Sequence, residues 1–107
     1  MEIYGLIKTS LDVAKLRGEA IANNIVNVNT SGYKRKYVTF EESLNDKSGE
    51  NNIQIKEDKS TSMRADGNNV DLQSEKVDQA ANTLMYNSLI SITNIKLAMA
   101  KSAISGR

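Results

Sequence analysis

The sequence predicts a mainly α chain: a long antiparallel helical hairpin or coiled coil of amino- and carboxy-terminal helices, joined by an extended, weakly structured middle segment. Three observations predict it: an apolar stripe at alternating three- and four-residue spacing near the amino terminus, a second and wider stripe near the carboxy terminus, and a polar stretch between them. The implied units are residues 1–30, an amino-terminal helix; 31–72, an extended loop or weak β segment; and 73–107, a carboxy-terminal helix.

The first stripe runs Tyr4, Ile7, Leu11, Ala14, Gly18, Ile21, Ile25 and Val28, the spacing of one helix face seeking a partner helix. Lys8, Asp12, Lys15, Arg17, Glu19 and Asn23 between them are polar, which implies a solvated back. The second stripe runs Val77, Ala81, Leu84, Met85, Leu89, Ile92, Ile95, Met99 and Ala103, and its apolar residues spill to both flanks. A face that wide calls for more than one neighbour. Ile7, Leu11, Ile21, Ile25, Leu84, Leu89, Ile92 and Ile95 are therefore the candidate packing residues, on each other and on neighbouring subunits. The acids Asp71, Glu75 and Asp78 at the start of the second helix suit its dipole, with Asp71 or Ser74 as N-cap and Gly106 as stop.

Residues 41–72 are rich in Asn, Asp, Ser, Lys and Glu, with "IQIKE" and "TSMRA" as candidate strands of a weak hairpin. A connection of that length without structure is uncommon inside a compact domain, so a neighbour is expected to order it.

Composition closes many functions. The chain has 107 residues, 39% of them hydrophobic, with Phe40 and four tyrosines as its aromatics. So modest a core points to burial against a partner. A net charge of +1 argues against a broad nucleic-acid footprint. The absence of histidine and cysteine removes the commonest general base, the commonest metal ligands and the thiol nucleophile. No apolar run approaches the roughly 18 residues of a membrane span. The opening "MEIYGLIKTSLDVAKLRGE" carries acids where a cleaved leader would be apolar.

"DGNNVDLQSE" fails as a calcium loop, because Gly67 stands second rather than sixth and Val77 occupies the place of the bidentate glutamate. Asp66, Gly67, Asn68 and Asn69 read instead as a tight turn, with Val70 and Asp71 leading into the last helix. The carboxylate pairs Glu41–Glu42 and Glu57–Asp58 have no visible apolar pocket to shift their titration, and read as solvated charges. "YKRKY" interleaves bases and aromatics in the manner of a single-strand binder. The more economical reading is that Lys34, Arg35 and Lys36 pair with acids on an adjacent subunit or face solvent. No cofactor, metal or small-molecule substrate is called for, and two rival classes stay open: a small enzyme using Asp66, Asp71 and Glu75 around a cation, and a nucleic-acid-binding helical hairpin.

The words themselves carry more than their shape. "ANNIVNVNTSGYK", with Asn24, Asn27, Asn29, Thr30, Gly32 and Tyr33, resembles the amino-terminal signature of bacterial flagellar rod and hook proteins. Ser31 stands where that signature commonly has proline. "RADGNNVDLQSEKVDQAANTLMYNSL" resembles the carboxy-terminal signature of one branch, the FlgB family of basal-body rod proteins, and a sister proximal-rod subunit is the alternative. The resemblance implies a structural subunit, not an enzyme, that stacks helically in the proximal rod and transmits torque. Implied partners are copies of itself, other rod proteins, the rod adaptor protein, the membrane ring and the flagellar type III export gate. The implied place is outside the inner membrane, in the periplasmic rod region, reached without a cleaved signal peptide. Subunits of this kind carry a Phe-x-x-x-apolar export signal, and "FEESL", Phe40 to Leu44, matches it; the alternative is a one-turn packing contact between Phe40 and Leu44.

Overall fold

In the computed structural model the residues described are 3–41, 52–62 and 64–106, with the side chains of residues 41 and 52 left aside. Four elements follow in order: α1 (Ile3–Val26), β1 (Lys36–Glu41), β2 (Asn52–Glu57) and α2 (Leu72–Ser105). The chain is mainly helical, and its two long helices form a hairpin with a small two-stranded sheet against one end. The molecule measures 65 × 32 × 14 Å.

α1 buries two faces rather than one. Ile7, Ala14 and Ile21 are buried along the expected stripe, with Leu11 and Ile25 half-buried. On a neighbouring face Val13 and Ala20 are also buried, and with Val38 they form the apolar cluster against which Leu16, Phe40 and Ile53 pack. The apolar centre of the molecule thus lies between α1 and the sheet.

β1 and β2 pair antiparallel in a register that sets Val38 opposite Ile55 and Phe40 opposite Ile53. Alternation puts these four residues on the face toward α1. "IQIKE" is a strand as expected, but its partner β1 lies almost wholly before residues 41–72, and the described residues of "TSMRA" (61, 62, 64 and 65) form no strand. The "KYVTFE" alternation of β1 supplies what a half-buried strand needs, two apolar positions a period of two apart beside β-branched and aromatic residues.

α2 starts at Asp71, whose carboxylate accepts from the backbone N–H groups of Gln73 and Ser74, and Gly106 closes it in a left-handed turn. Its rotation differs from the simplest expectation of two apolar stripes meeting. Among the described residues of α2 only Glu75 is buried. Asn82, Leu89, Thr93 and Lys96 are half-buried along the side toward α1, while Val77, Leu84, Ile92, Ile95 and Met99 are exposed. Two polar contacts fix this rotation. Glu75 is held by Arg35, and Asn82 Nδ2 donates to the Ala14 carbonyl at 2.9 Å. The small Ala14 beneath Asn82 allows the close approach; a Cβ on Gly18 would stand 3.5 Å from Asn82 Nδ2, an ordinary van der Waals distance. None of the described helices is long and apolar enough to cross a membrane.

Ala14 is 1% exposed beneath Asn82, so Ala14→Leu forces the helices apart and is expected to destabilise the chain by about 1–3 kcal/mol. Thermal melting followed by circular dichroism measures this, with Lys15→Leu, at an exposed position one residue on, as the comparison.

Candidate functional site

Just beyond the end of α1, the turn of residues 27–30 presents backbone carbonyls that need donors. The chain supplies them from 40 residues away. Asn68 is 0% exposed, and its Nδ2 lies within hydrogen-bonding distance of three carbonyls, those of Asn27 (2.8 Å), Val28 (3.0 Å) and Thr30 (2.9 Å). Its Oδ1 accepts from the Val70 N–H at 2.8 Å, and its own N–H donates to Asp66 Oδ1 at 3.1 Å. Arg64 adds a second donor to the Val28 carbonyl at 2.6 Å and an ion pair with Asp66 at 3.1 Å. Ser62 donates its hydroxyl proton to the Asn68 carbonyl.

Asn24 plays the reciprocal part from the other side. It is 0% exposed; its Nδ2 donates to the Lys36 carbonyl and its Oδ1 accepts from the Lys36 N–H, both at 2.8 Å. An amide carries both a donor and an acceptor, so one side chain serves both backbone groups at the start of β1. The Tyr33 hydroxyl donates to the same Oδ1 at 3.0 Å. Asn69 completes the set: its Oδ1 accepts from the Arg35 N–H at 2.7 Å, and its Nδ2 donates to the carbonyls of Asp58 and Ser60.

The two signature stretches therefore bond directly to each other. Gly32 donates its N–H to the Asp66 carbonyl at 2.8 Å, and Lys34 Nζ donates to the Gly67 carbonyl at 2.7 Å. Gly32 and Gly67 have φ of 75° and 80°, and a Cβ on Gly67 would meet the Gly32 Cα at 3.8 Å. The left-handed backbone, more than crowding, demands glycine there. Asn27 braces its own turn through Asn23 and Thr30, Val70 is buried, and Asn29 is exposed.

Charge enters through Arg35. Its Nε donates to Glu75 Oε1 at 2.9 Å, its Nη1 lies 3.4 Å from Asp58, and its guanidinium sits 5.7 Å from the centre of the Tyr37 ring. Burial works against its charge, but the hydrogen bond and field of Glu75, and then those of Asp58, outweigh it and raise its pKa. Asp58 is held below the usual carboxylate range, first by the backbone N–H and then the side chain of Ser60, and next, against its burial, by Arg35. Tyr33 is pushed up by burial, with the fields of Glu75 and Glu57 adding to it.

Lys34 and Arg35 thus find partners within their own chain, a correction to the expectation that they meet solvent or another subunit's acids. Glu75, expected as a dipole-matching surface acid, is 1% exposed. Sequence reading gave Arg64 no part, and a basic residue shortly before an Asp-Gly turn was its only signal. Asp66, Asp71 and Glu75 are each committed to separate contacts, and among the described residues no acidic cluster is placed to hold a metal. Phe40 packs from β1 onto α1 rather than as one turn of helix, and Leu44 lies outside the described residues. Chemically the arrangement is a clasp: most of its donors and acceptors are spent on one another, with Glu75 Oε2 buried and unpaired.

Comparison with known proteins finds flagellar basal body rod proteins FlgB. That of Bacillus subtilis (strain 168) is 28% identical over 117 residues, covering 94% of this chain and 91% of the relative. That of Borrelia hermsii is 31% identical over 102 residues, covering 71% of this chain and 76% of the relative. That of Borreliella burgdorferi is 30% identical over 118 residues, covering 86% and 85%. No protein-family profile matches the chain.

Asn68→Asp replaces a donor facing three carbonyls with a carboxylate, so a loss of several kcal/mol is expected. Asn29→Asp, at an exposed position, should stay within about 0.5 kcal/mol. Denaturant unfolding of the two variants beside the parent checks the contrast.

Proposed function

The chain belongs to the FlgB family of flagellar basal body rod proteins, and from that premise we propose that it is a structural subunit of the proximal rod that transmits motor torque through packing. The observation that carries this reading is the apolar face of α2. Leu84 is 69% exposed, Ile95 59% and Met99 60%, on a helix whose inward side is largely polar. Exposed apolar area of that extent marks an interaction surface. Copies of the chain and other rod proteins would cover it, and burial between subunits would supply stability that a chain with so small a core lacks alone.

Within this reading residues 1–30 and 73–107 work as the helical core and residues 31–72 as an outer segment. The clasp holds the two helices at a fixed angle, so that load applied to one is carried by the other. The further partners are the rod adaptor, the membrane ring and the export gate, and the location is the periplasmic rod region, reached without a cleaved leader. A nucleic-acid role loses its footing, because Lys34 and Arg35 of the basic patch are engaged within the chain.

Leu84→Asp and Ile95→Asp place charges on positions already exposed in the single chain, so helicity of the purified protein should not change. In the rod each charge would be buried unpaired at a cost of several kcal/mol, and swimming in soft agar should be lost. Normal swimming with both variants would remove the packing role of this face.

Phe40 separates export from packing by compartment. If "FEESL" is read by the export gate, Phe40→Ala leaves the subunit in the cytoplasm. If Phe40 serves only the cluster with Val13, Ala20 and Val38, the variant is secreted but builds no rod. Cell fractionation of a strain whose assembly stops at this subunit distinguishes the two.

A further inference from the structure

A cavity of about 270 Å³ opens where α1, β1 and α2 meet, lined among others by Ala20, Ile21, Val38 and Met85. Its rim carries Arg17, Lys36 and Asp78, and among the described residues none of the three makes an ion pair. Asn82 stands in its wall with Oδ1 buried and without a donor. Apolar walls and open charges describe a socket rather than a packing fault.

The other end of the molecule carries a shape to match. With Asn82 against Ala14, antiparallel helices bring Ile3 level with roughly residue 93, so about the last three turns of α2 run past the start of α1. On these turns Leu97, Lys101 and Ile104 share one face at spacings of four and three. Leu97 is 48% exposed and Ile104 88%. The last carbonyls of a helix carry partial negative charge and accept readily from lysine and arginine.

We propose, resting on the rod-subunit reading, that the end of α2 of one copy docks in the α1–β1–α2 socket of the next. Ile104 enters between Ile21, Val38 and Met85. Lys101 pairs with Asp78, and Arg17 and Lys36 face the terminal carbonyls of the incoming helix. Socket and plug lie toward opposite ends of a molecule 65 Å long, so the contact is head-to-tail. Such a contact does not close on itself in a pair; it propagates, as a rod requires.

The native chain has no cysteine, which makes the test direct. Met85→Cys and Ile104→Cys are combined in the full chain. Within one copy the two positions stand about 28 Å apart along α2, far beyond the roughly 7 Å that a disulfide spans between Cα atoms. Basal bodies from cells carrying the double variant are oxidised mildly and run without reductant. The expected result is a reductant-sensitive ladder of dimer, trimer and longer species, absent from either single variant. Cells that swim while yielding only monomer, or a dimer that never extends, would overturn the docking and leave the rod reading standing. Absence of the parent chain from isolated basal bodies would overturn the rod reading, and the docking with it. A charge exchange guards against a cysteine pair that fails to assemble: Asp78→Lys and Lys101→Asp should each impair swimming, and together restore it. Failure of the double exchange to swim better than either single variant, with all three chains stable in the cell, also overturns the docking.

Discussion

A chain that turns sharply after a helix presents carbonyl groups that need donors, and here the carbonyls of Asn27, Val28 and Thr30 turn toward one buried amide, that of Asn68. Much else is arranged around that meeting. It fixes where α1 ends, places Gly67 against Gly32, and delivers Asp71 to the start of α2 as its cap. Asn24 then sets the first residue of β1, and Arg35, next to it, reaches Glu75 on α2. Each buried amide would be costly if left unmatched, so the clasp forms as a unit or not at all.

The helices were legible because their signals are local. The stripe from Ile7 to Ile25 and the carboxylate of Asp71 operate within a few residues, and the three-and-four spacing reports them directly. β1 was less legible, since Lys36 and Tyr37 also read as a basic–aromatic patch and its partner strand stands ten residues further along the chain. The rotation of α2 was not legible at all. Its broad apolar face allowed several orientations, and the choice rests on Glu75 and Asn82, polar residues that a hydrophobic pattern does not weigh. The site shows the same division. The two signature words could be recognised separately, but that Asn68 serves the end of α1 is a contact across 40 residues, and spacing along the chain carries no trace of it.

A polar inner side on α2 changes what the two helices can be to each other. An interface of Asn82, Thr93 and Lys96 around Leu89 contributes little apolar burial, so the helices are aligned more than they are glued. The apolar surface that would have sealed an isolated hairpin is instead presented outward. A single chain of this fold therefore leaves that surface in water.

The clasp is made chiefly of neutral amides and backbone carbonyls. Counter-ions crowd around charged groups and weaken them, with a screening length near 8 Å at physiological ionic strength, but they have little hold on a buried dipole. Only the Lys34, Arg35 and Arg64 branches feel the salt around them directly. A joint so composed keeps its geometry as the ionic strength around it rises and falls, and the angle between the helices becomes a property of the chain rather than of the medium.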